Sequence, residues 1–289
     1  MQAICHGLWS TKDTDIIADM DLRRRALQLL SMSDPTAKAQ AVRTWAGAIP
    51  PDAPIDTQAR IDEPPGLPGW PQRPPLVPPA QLPARSAFDA TGRAALLHAV
   101  AHIEFNAIAL ALDATWRFAD LPRAYYLDWA RVAGEEALHF TLLQTHLASL
   151  GHAYGDFAAH DGLWAMAERT RGDVLARMAL VPRTLEARGL DVTPAMREKF
   201  ARAGDTRAAE ILDVILRDEI GHVAIGNRWY RWLCARMGAD PLLAYAQLAQ
   251  RHHAPRPRPP FNLEARRAAG FDAAELAALD AAARPDKAR

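Results

Sequence analysis

The sequence GEEALH at Gly134–His139 has a counterpart 83 residues later, RDEIGH at Arg217–His222, and both read acid-Glu-x-x-His. The chain has 11 Glu and 10 His among 289 residues. At these frequencies about 0.4 Glu-x-x-His matches are expected by chance, so a single match would carry no information. Two matches, each directly preceded by an acid, indicate a shared chemical role.

Glutamate and histidine three positions apart on a helix point to the same face, so each motif offers a metal one oxygen and one nitrogen ligand. A further glutamate precedes each motif: Glu104 lies 32 residues before Glu136, and Glu186 lies 33 residues before Glu219. Four carboxylates and two imidazoles in this order are the ligand set of a two-metal site in a four-helix bundle. Without metal, four buried carboxylates would repel one another, so we expect two divalent cations. The candidate metal ligands are Glu104, Glu136, His139, Glu186, Glu219 and His222.

Apolar residues recur at helical spacing through most of the chain, and no segment alternates convincingly as a strand would. Glycine, proline and acidic residues mark the expected turns, as at Asp120–Pro122. We therefore expect an all-α fold with a four-helix bundle at its centre. The expected helices cover residues 19–46 (broken at Asp34–Pro35), 91–118, 122–150, 163–189 (broken near Met178–Pro182), 193–203, 206–237, 240–252 and 271–282.

Nine prolines fall between Pro64 and Pro83, and they are incompatible with a helix or a central strand. Apolar residues among them, such as Trp70, favour an extended arm laid over the main domain rather than a disordered linker. We expect N-terminal helices and this arm at residues 1–85, the bundle at 86–252, and a tail with a short helix at 253–289.

The third-helix ligand is less well determined than the others. The midpoint between Glu104 and Glu136 is residue 120, inside an expected turn, so a helical hairpin would bring these carboxylates to the same height. The midpoint of the second pair falls near residue 202, and a glycine and a proline interrupt the path to it. Glu186 is preferred. Its competitors are Glu168, Glu198 and Glu210.

Two further acids, Glu135 and Asp218, occupy matching positions directly before a ligand glutamate. Each could accept a hydrogen bond from a ligand imidazole, or could be a solvated acid on a helix surface, and the sequence does not choose between these. His102 is two residues from Glu104 and therefore off the ligand face, where we expect a core or rim histidine.

Composition excludes several classes of function. The net formal charge is zero, so we expect no membrane partner. A nucleic-acid partner is disfavoured, but two basic clusters, Arg23–Arg25 and Arg251–Arg267, keep it as an alternative. Cys5 and Cys234 are the only cysteines, which predicts a reducing, cytoplasmic location without a disulfide framework. No apolar run approaches about 18 residues, and Met1–Asp21 lacks the pattern of a secretory signal, so neither a bilayer span nor export is expected.

Several blocks of the sequence carry a resemblance to known families. The chain resembles the ferritin-like superfamily of di-iron and di-manganese carboxylate proteins, and more narrowly a bacterial ferritin-like family known as domain of unknown function 455. The resemblance spans roughly residues 20–280. It supports Glu186 as a ligand, because the surrounding segment matches as a block, but it supplies no reaction. The blocks are His102–Glu104, Gly134–His139, Val181–Pro194, Arg217–His222, Pro259–Asn262, Glu264–Arg266 and Gly270–Phe271.

The resemblance to the wider superfamily implies an oxidoreductase that uses two metal ions and dioxygen to oxidise or hydroxylate an organic substrate. Iron is the metal we expect, with manganese as the alternative. The chain has no flavin or nicotinamide fingerprint, so an external electron donor is expected. The substrate, a small molecule or a modified macromolecule, stays open, as does assembly into a homodimer. The alternatives are a ferroxidase or iron-handling protein and a non-catalytic helical interaction module.

Overall fold

The computed structural model describes residues 20–83 and 85–283. Within these residues the chain is all-helical, as expected, apart from loops and an isolated bridge between Leu76 and Ala159. Cys5 lies outside the described residues, as do residues 1–19 of the stretch that was tested for a secretory signal. The α-helices are α1 (Leu22–Leu30), α2 (Pro35–Ala48), α3 (Ala90–Arg117), α4 (Arg123–Ser149), α5 (Gly162–Arg169), α6 (Val174–Leu180), α7 (Ala187–Arg202), α8 (Thr206–Met237), α9 (Pro241–Arg251), α10 (Leu263–Ala268) and α11 (Ala273–Ala283).

Aspartate side chains begin the first helices. Asp21 accepts hydrogen bonds from backbone amides in the first turn of α1. Asp34 does the same for α2, where Pro35 occupies the first turn without needing an amide partner. The expected break at Asp34–Pro35 is therefore confirmed.

The helices α3 and α4 form the central hairpin. Their turn contains Asp120, which adopts a left-handed φ of 62°. The two helices pack along each other, and α4 also packs against α2 and α8. Phe105 and Phe140 meet across the hairpin with ring centroids 5.3 Å apart. A turn at residue 120 brings Glu104 and Glu136 together, as their spacing predicts.

Helix α3 is long and apolar enough, by length and composition, to cross a bilayer, with a mean hydropathy of 1.6 in its most apolar window. That window is 83% buried inside the described part of the protein, as in the core helix of a soluble protein. Glu104 lies inside it, which is why no uninterrupted apolar run stands out in the sequence.

The segment between α6 and α8 differs from the expected path. The break expected near Met178–Pro182 is confirmed, and it takes the form of a π-helical segment, Val181–Glu186. The helix end expected at Gly189 is wrong, because α7 continues through it and through Pro194 to Arg202. Since α7 packs along α8, burial of its apolar face outweighs the weak helix propensity of these two residues.

The Pro-rich stretch lies against the hairpin. Trp70 is 6.0 Å from the ring of Phe105 and 5.8 Å from the ring of Trp164, measured between centroids. Next to it, the Gly69 carbonyl accepts a hydrogen bond of 3.0 Å from Nζ of the buried Lys38. The stretch is thus held both by aromatic contacts and by a polar contact to α2.

The C-terminal segment packs on α7 and α8 and contains a helix, α10, that was not expected. Arg266 on α10 pairs with the buried Asp191 on α7, with 2.7 Å between Nη2 and Oδ2. Around this pair the segment shares a small second core with α7 and α8. That core contains Ala187, Leu190, Val223, Ala265, Ala269, Phe271 and Leu276.

Candidate metal centre

Four helical segments bring the six predicted ligands together in the interior. Helix α3 contributes Glu104 and α4 contributes Glu136 with His139. The π segment contributes Glu186, and α8 contributes Glu219 with His222. Except for the partly buried Glu186, all of these residues are buried.

The His139 imidazole lies at the centre of the first group. Its Nδ1 is 3.1 Å from Oε2 of Glu104 and 3.1 Å from Oε2 of Glu136. These three residues and Glu219 each offer one ligand atom, and the four atoms all lie within 4.8 Å of one another. A buried group of three carboxylates and one imidazole at this separation could hold a metal ion.

His222 and Glu186 adjoin this group on its other side. His222 Nδ1 is 2.9 Å from Oε1 of Glu136 and 3.7 Å from Oε1 of Glu219. The 2.9 Å contact lacks the direction of a hydrogen bond and the 3.7 Å contact is too long for one, so the nitrogen and the Glu136 oxygen are close but have no hydrogen bond. The two imidazole rings are 5.8 Å apart between centroids.

Unpartnered polar atoms test whether a metal fits here. Buried nitrogen and oxygen atoms normally have hydrogen-bond partners, because an unpaired one costs about 1–3 kcal/mol. In this cluster four buried ligand atoms have no such partner among the described residues. The atoms are Glu136 Oε1, Glu186 Oε2, Glu219 Oε2 and His222 Nδ1. All four belong to residue types that bind divalent metals, so the donor set fits such an ion.

The outer nitrogens of both imidazoles are held by acids from the opposite helix. Nε2 of His139 on α4 is 3.1 Å from Oδ2 of Asp218 on α8. Nε2 of His222 on α8 is 2.8 Å from Oε2 of Glu135 on α4. An outer nitrogen that donates to a carboxylate leaves Nδ1 as the lone-pair nitrogen facing the cluster. The acid of each motif therefore fixes the imidazole of the other motif.

The carboxylates of the cluster shift one another's pKa values. Burial and the neighbouring Glu136 charge raise the pKa of Glu104 well above its usual value. Burial and the same neighbour also raise the pKa of Glu219. Burial acts in the same direction on Glu136, but the charge of His222 and the hydrogen bond from His139 outweigh it and lower its pKa. Without metal, one carboxylate keeps its charge while its neighbours favour protons.

The imidazoles respond to the same acids. Burial lowers the pKa of His139, but hydrogen bonds to Asp218, Glu104 and Glu136 outweigh it and raise the pKa well above its usual value. The pKa of His222 is also raised, because Glu136 and Glu135 together outweigh burial. In the absence of metal, protons take the place of cations in this cluster.

Glu186 lies with the cluster and its competitors do not. Burial and the charges of Glu219 and Glu136 raise its pKa well above the usual value, which places its carboxylate beside theirs. The alternatives all have partners elsewhere. Glu168 accepts a hydrogen bond from Trp164, Glu198 pairs with Arg202, and Glu210 pairs with Arg207.

Three residues that carried no sequence signal for the site, Phe105, Phe140 and Tyr154, form an aromatic group in the core next to His102. The Tyr154 ring is 5.4 Å from Phe105 and 5.0 Å from Phe140 between centroids. Its hydroxyl is 2.8 Å from Nδ1 of His102, which is buried and points away from the ligands, as expected. Tyr154 comes from a loop after α4, so no helical periodicity could have identified it.

Two cavities in the described part of the protein lie outside the cluster. A groove of about 480 Å³ runs between α2 and α4 and is lined by polar side chains, among them Arg43 and Gln144. A recess of about 20 Å³ lies under the Pro-rich stretch, between Trp70, Asn106 and Tyr154. Neither is lined by any of the six predicted ligands.

Comparison with known proteins gives a family and a relative. The model of the family described as "Protein of unknown function (DUF455)" matches residues 31–277. A protein of Haemophilus influenzae, described as uncharacterized, is 50% identical over 214 residues, which cover 72% of this chain and 74% of the relative. No solved structure matches the chain significantly.

Proposed function

Since the chain belongs to the family of proteins of unknown function DUF455, whose description names no reaction, we propose its function from the buried cluster itself. The proposed function is that of a two-metal, oxygen-dependent oxidoreductase built on a ferritin-like four-helix bundle. The resemblance to domain of unknown function 455 that was seen in the sequence agrees with the family match. The ferritin-like bundle and the two-metal chemistry are part of the proposal.

One observation supports this proposal above all others: three buried carboxylates and the partly buried Glu186 converge with two imidazoles, and four of their ligand atoms have no hydrogen-bond partner among the described residues. The dominant electrostatic neighbours of these carboxyl groups are one another and the two imidazoles. No arginine or lysine is prominent among them. Such a cluster destabilises a protein unless cations neutralise it, so binding of two divalent ions is the economical explanation.

The contacts favour one assignment of ligands. Glu104, Glu136 and His139 would hold the first ion, because His139 Nδ1 lies 3.1 Å from both carboxylates. Glu186, Glu219 and His222 would hold the second. Glu136 has one oxygen near each imidazole, at 3.1 Å and 2.9 Å, and is therefore the candidate bridging carboxylate.

Two ferrous ions in this position would supply electrons for the reduction of dioxygen. The surrounding residues have separate roles in that chemistry. Asp218 and Glu135 orient the imidazoles, and the helices that carry the ligands bury them away from water. An external donor would return the electrons, in the cytoplasm.

The experiment that tests the proposal is anaerobic titration with ferrous iron, followed by exposure to oxygen. We expect two iron ions per chain, oxygen consumption linked to iron oxidation, and an absorption change in the near-ultraviolet or visible range. His222→Ala and Glu136→Ala should lose iron loading while the helical circular dichroism is kept. A His222→Ala variant that still binds two ions, or a wild-type protein that binds one zinc ion tightly and no iron, would contradict the proposal.

The same experiment separates the oxidoreductase from iron handling. A ferroxidase turns over iron without an organic substrate and accumulates ferric mineral. An oxidoreductase stops after one oxidation of its two ions unless an electron donor and a substrate are supplied. Storage would also require a cage of many subunits, which size-exclusion chromatography distinguishes from a monomer or a homodimer.

A further inference from the structure

The π segment Val181–Glu186 carries Glu186. Arg183 belongs to the same segment, and its side chain points away from the cluster toward the C-terminal segment. Arg183 is buried. Its Nη1 donates to Oδ1 of Asn227 on α8 at 2.8 Å, and its Nη2 donates to Oε1 of Glu275 on α11 at 2.7 Å. Arg183, Asn227 and Glu275 are called the C-terminal clamp below.

Aromatic rings enclose the guanidinium of the clamp. The Arg183 carbon Cζ lies 4.9 Å from the ring centroid of Tyr230, 5.5 Å from Tyr245 and 4.8 Å from Phe271. These rings come from α8, α9 and the C-terminal segment. A planar cation among three ring faces, with ionic and amide partners, is fixed in both position and orientation.

Glu275 is itself held in place. Its second oxygen accepts hydrogen bonds from the backbone amide of Asp272 at 2.9 Å and from Arg231 on α8. Its own amide donates to the Asp272 side chain at 2.8 Å, which closes the start of α11. The partner of Arg183 is therefore attached to α8 and is not a mobile tail residue.

The rest of the π segment is held from the same direction. The Thr184 hydroxyl donates to the Ala179 carbonyl at 2.8 Å and lies 3.0 Å from the Tyr245 hydroxyl. Pro182 lies directly on Gly226 of α8, where a Cβ atom would come within 2.5 Å of the proline Cβ. Residues 182–184 thus each have a fixed neighbour, while Glu186 Oε2 faces the cluster without a hydrogen-bond partner.

A π segment is strained relative to an α-helix and persists only where its surroundings determine it. We propose that the C-terminal clamp is a positioning device for the metal centre: through Arg183, Glu275 holds the π segment in the register that turns Glu186 toward Glu219. This inference rests on the proposed two-metal function. It makes Arg183 and Glu275 positioning residues that act on the second ion and not on the first, whose ligands lie on α3 and α4.

The test uses the full chain with the double substitution Arg183→Met and Glu275→Gln. Removing both charges leaves no unpaired ion of the Arg183–Glu275 pair in the interior, so the fold should be retained. The control is Asp213→Asn, which makes the same change of one acid to its amide at an exposed ion pair with Arg197 between α7 and α8.

The first readout needs no metal. In the metal-free double variant, amide hydrogen exchange at residues 183–187 should accelerate at least about tenfold, while exchange in α3 and α4 stays as in the wild type. The positioning role would be overturned if exchange at residues 183–187 were unchanged in the double variant, or if it accelerated equally throughout the bundle. It would also be overturned if the Asp213→Asn control showed the same acceleration.

The second readout is anaerobic titration with Co²⁺, followed by visible absorption. The wild type and the control should bind two ions. The double variant should bind the first ion unchanged and the second about 10–100-fold more weakly. The inference is overturned if the double variant binds the second ion as tightly as the wild type and the control do. It is also overturned if the double variant loses affinity for the first ion and the second ion to the same extent. A wild type that binds fewer than two ions would instead refute the proposed function, and the exchange measurement would still decide whether the clamp holds the π segment.

Discussion

His139 on α4 and Asp218 on α8 are joined by a contact of 3.1 Å between Nε2 and Oδ2, and this contact connects two motifs that lie far apart in the sequence. The reverse contact joins His222 to Glu135 at 2.8 Å. Each motif thus supplies an inner imidazole and the acid that orients the imidazole across from it. The two helices form one site only when both are in the same register.

Loss of one orienting acid should weaken metal binding without abolishing it. Asp218→Asn removes the charge that holds His139 but leaves all six predicted ligands in place. We expect Co²⁺ affinity to fall about 10–100-fold, measured by competition with a chelator. The control is Glu210→Gln on the same helix, an exposed acid paired with Arg207. Equal affinity in Asp218→Asn and the control would show that the contact does not orient the ligand.

In the metal-free protein, the contribution of the cluster to stability should fall as the pH rises. The pKa values of Glu104, His139 and His222 are raised in the folded state, so the folded chain binds more protons than the unfolded chain. Their contribution is fully present below the unfolded values, near 4.5 for Glu and 6.5 for His, and is lost as the pH rises through the folded values. The slope is at most about 1.4 kcal/mol per pH unit for each group.

Urea unfolding of the metal-free protein between pH 5 and pH 9 checks this dependence. Glu104→Gln should flatten it, because the substitution removes one of the cluster groups whose pKa is raised in the folded state. Saturating Co²⁺ should also flatten it, since bound ligands stay deprotonated. A difference in unfolding free energy between the metal-free wild type and Glu104→Gln that does not change over this range would contradict the expected protonation of the cluster.

Lys38 should produce the opposite pH dependence, away from the cluster. Burial lowers its pKa to about 7, while its ammonium has a hydrogen bond to the Gly69 carbonyl and lies 5.1 Å from the Phe105 ring centroid. Between pH 7 and pH 10 the unfolded chain binds more protons at this residue than the folded chain. Its contribution to stability therefore rises with pH, by up to about 1.4 kcal/mol per unit.

The difference in unfolding free energy between the wild type and Lys38→Met isolates this contribution from that of the cluster. The difference should shift in favour of the wild type as the pH rises from 7 to 10. A difference independent of pH would show that Lys38 remains charged in the folded protein over this range.

Gly69 and Gly47 should respond in opposite directions to the same substitution. A Cβ atom at Gly69 would lie 2.2 Å from the backbone oxygen of Ser31, so the Pro-rich stretch would have to move away from the end of α1. Gly69→Ala should cost about 1–3 kcal/mol. Gly47 lies within α2 with no atom within 4 Å of its Cβ position, and Gly47→Ala should stabilise by roughly 0.5–1 kcal/mol. Thermal unfolding of both variants measures this, and destabilisation by Gly47→Ala would show a contact there.

Much of the helical framework follows from sequence pattern, because capping residues and apolar periodicity act locally. The turn at residue 120 follows from the residues Asp120–Pro122 and agrees with the spacing of Glu104 and Glu136, and the break near Pro182 follows from proline chemistry. The course of α7 through Gly189 does not, because it depends on packing against α8 and the C-terminal segment. Local propensity alone would have ended the helix there.

The metal site, like the fold, is predictable from the sequence only in part. Ligand types and their spacing within one helix are visible in the sequence, since they depend on helical geometry alone. That Asp218 meets His139, and Glu135 meets His222, depends on the register between two helices 83 residues apart in the chain. Likewise, nothing local to Arg183 indicates that its partner is Glu275, 92 residues later.

The π segment Val181–Glu186 also has a consequence for insertions and deletions in this family. A π turn accommodates one residue more than an α turn, so deletion of a single codon there would restore an unbroken α-helix. Because the π turn absorbs that extra residue, the helices before and after it would keep their present faces in an unbroken α-helix. Homologues with one residue fewer between α6 and α7 should therefore retain the fold.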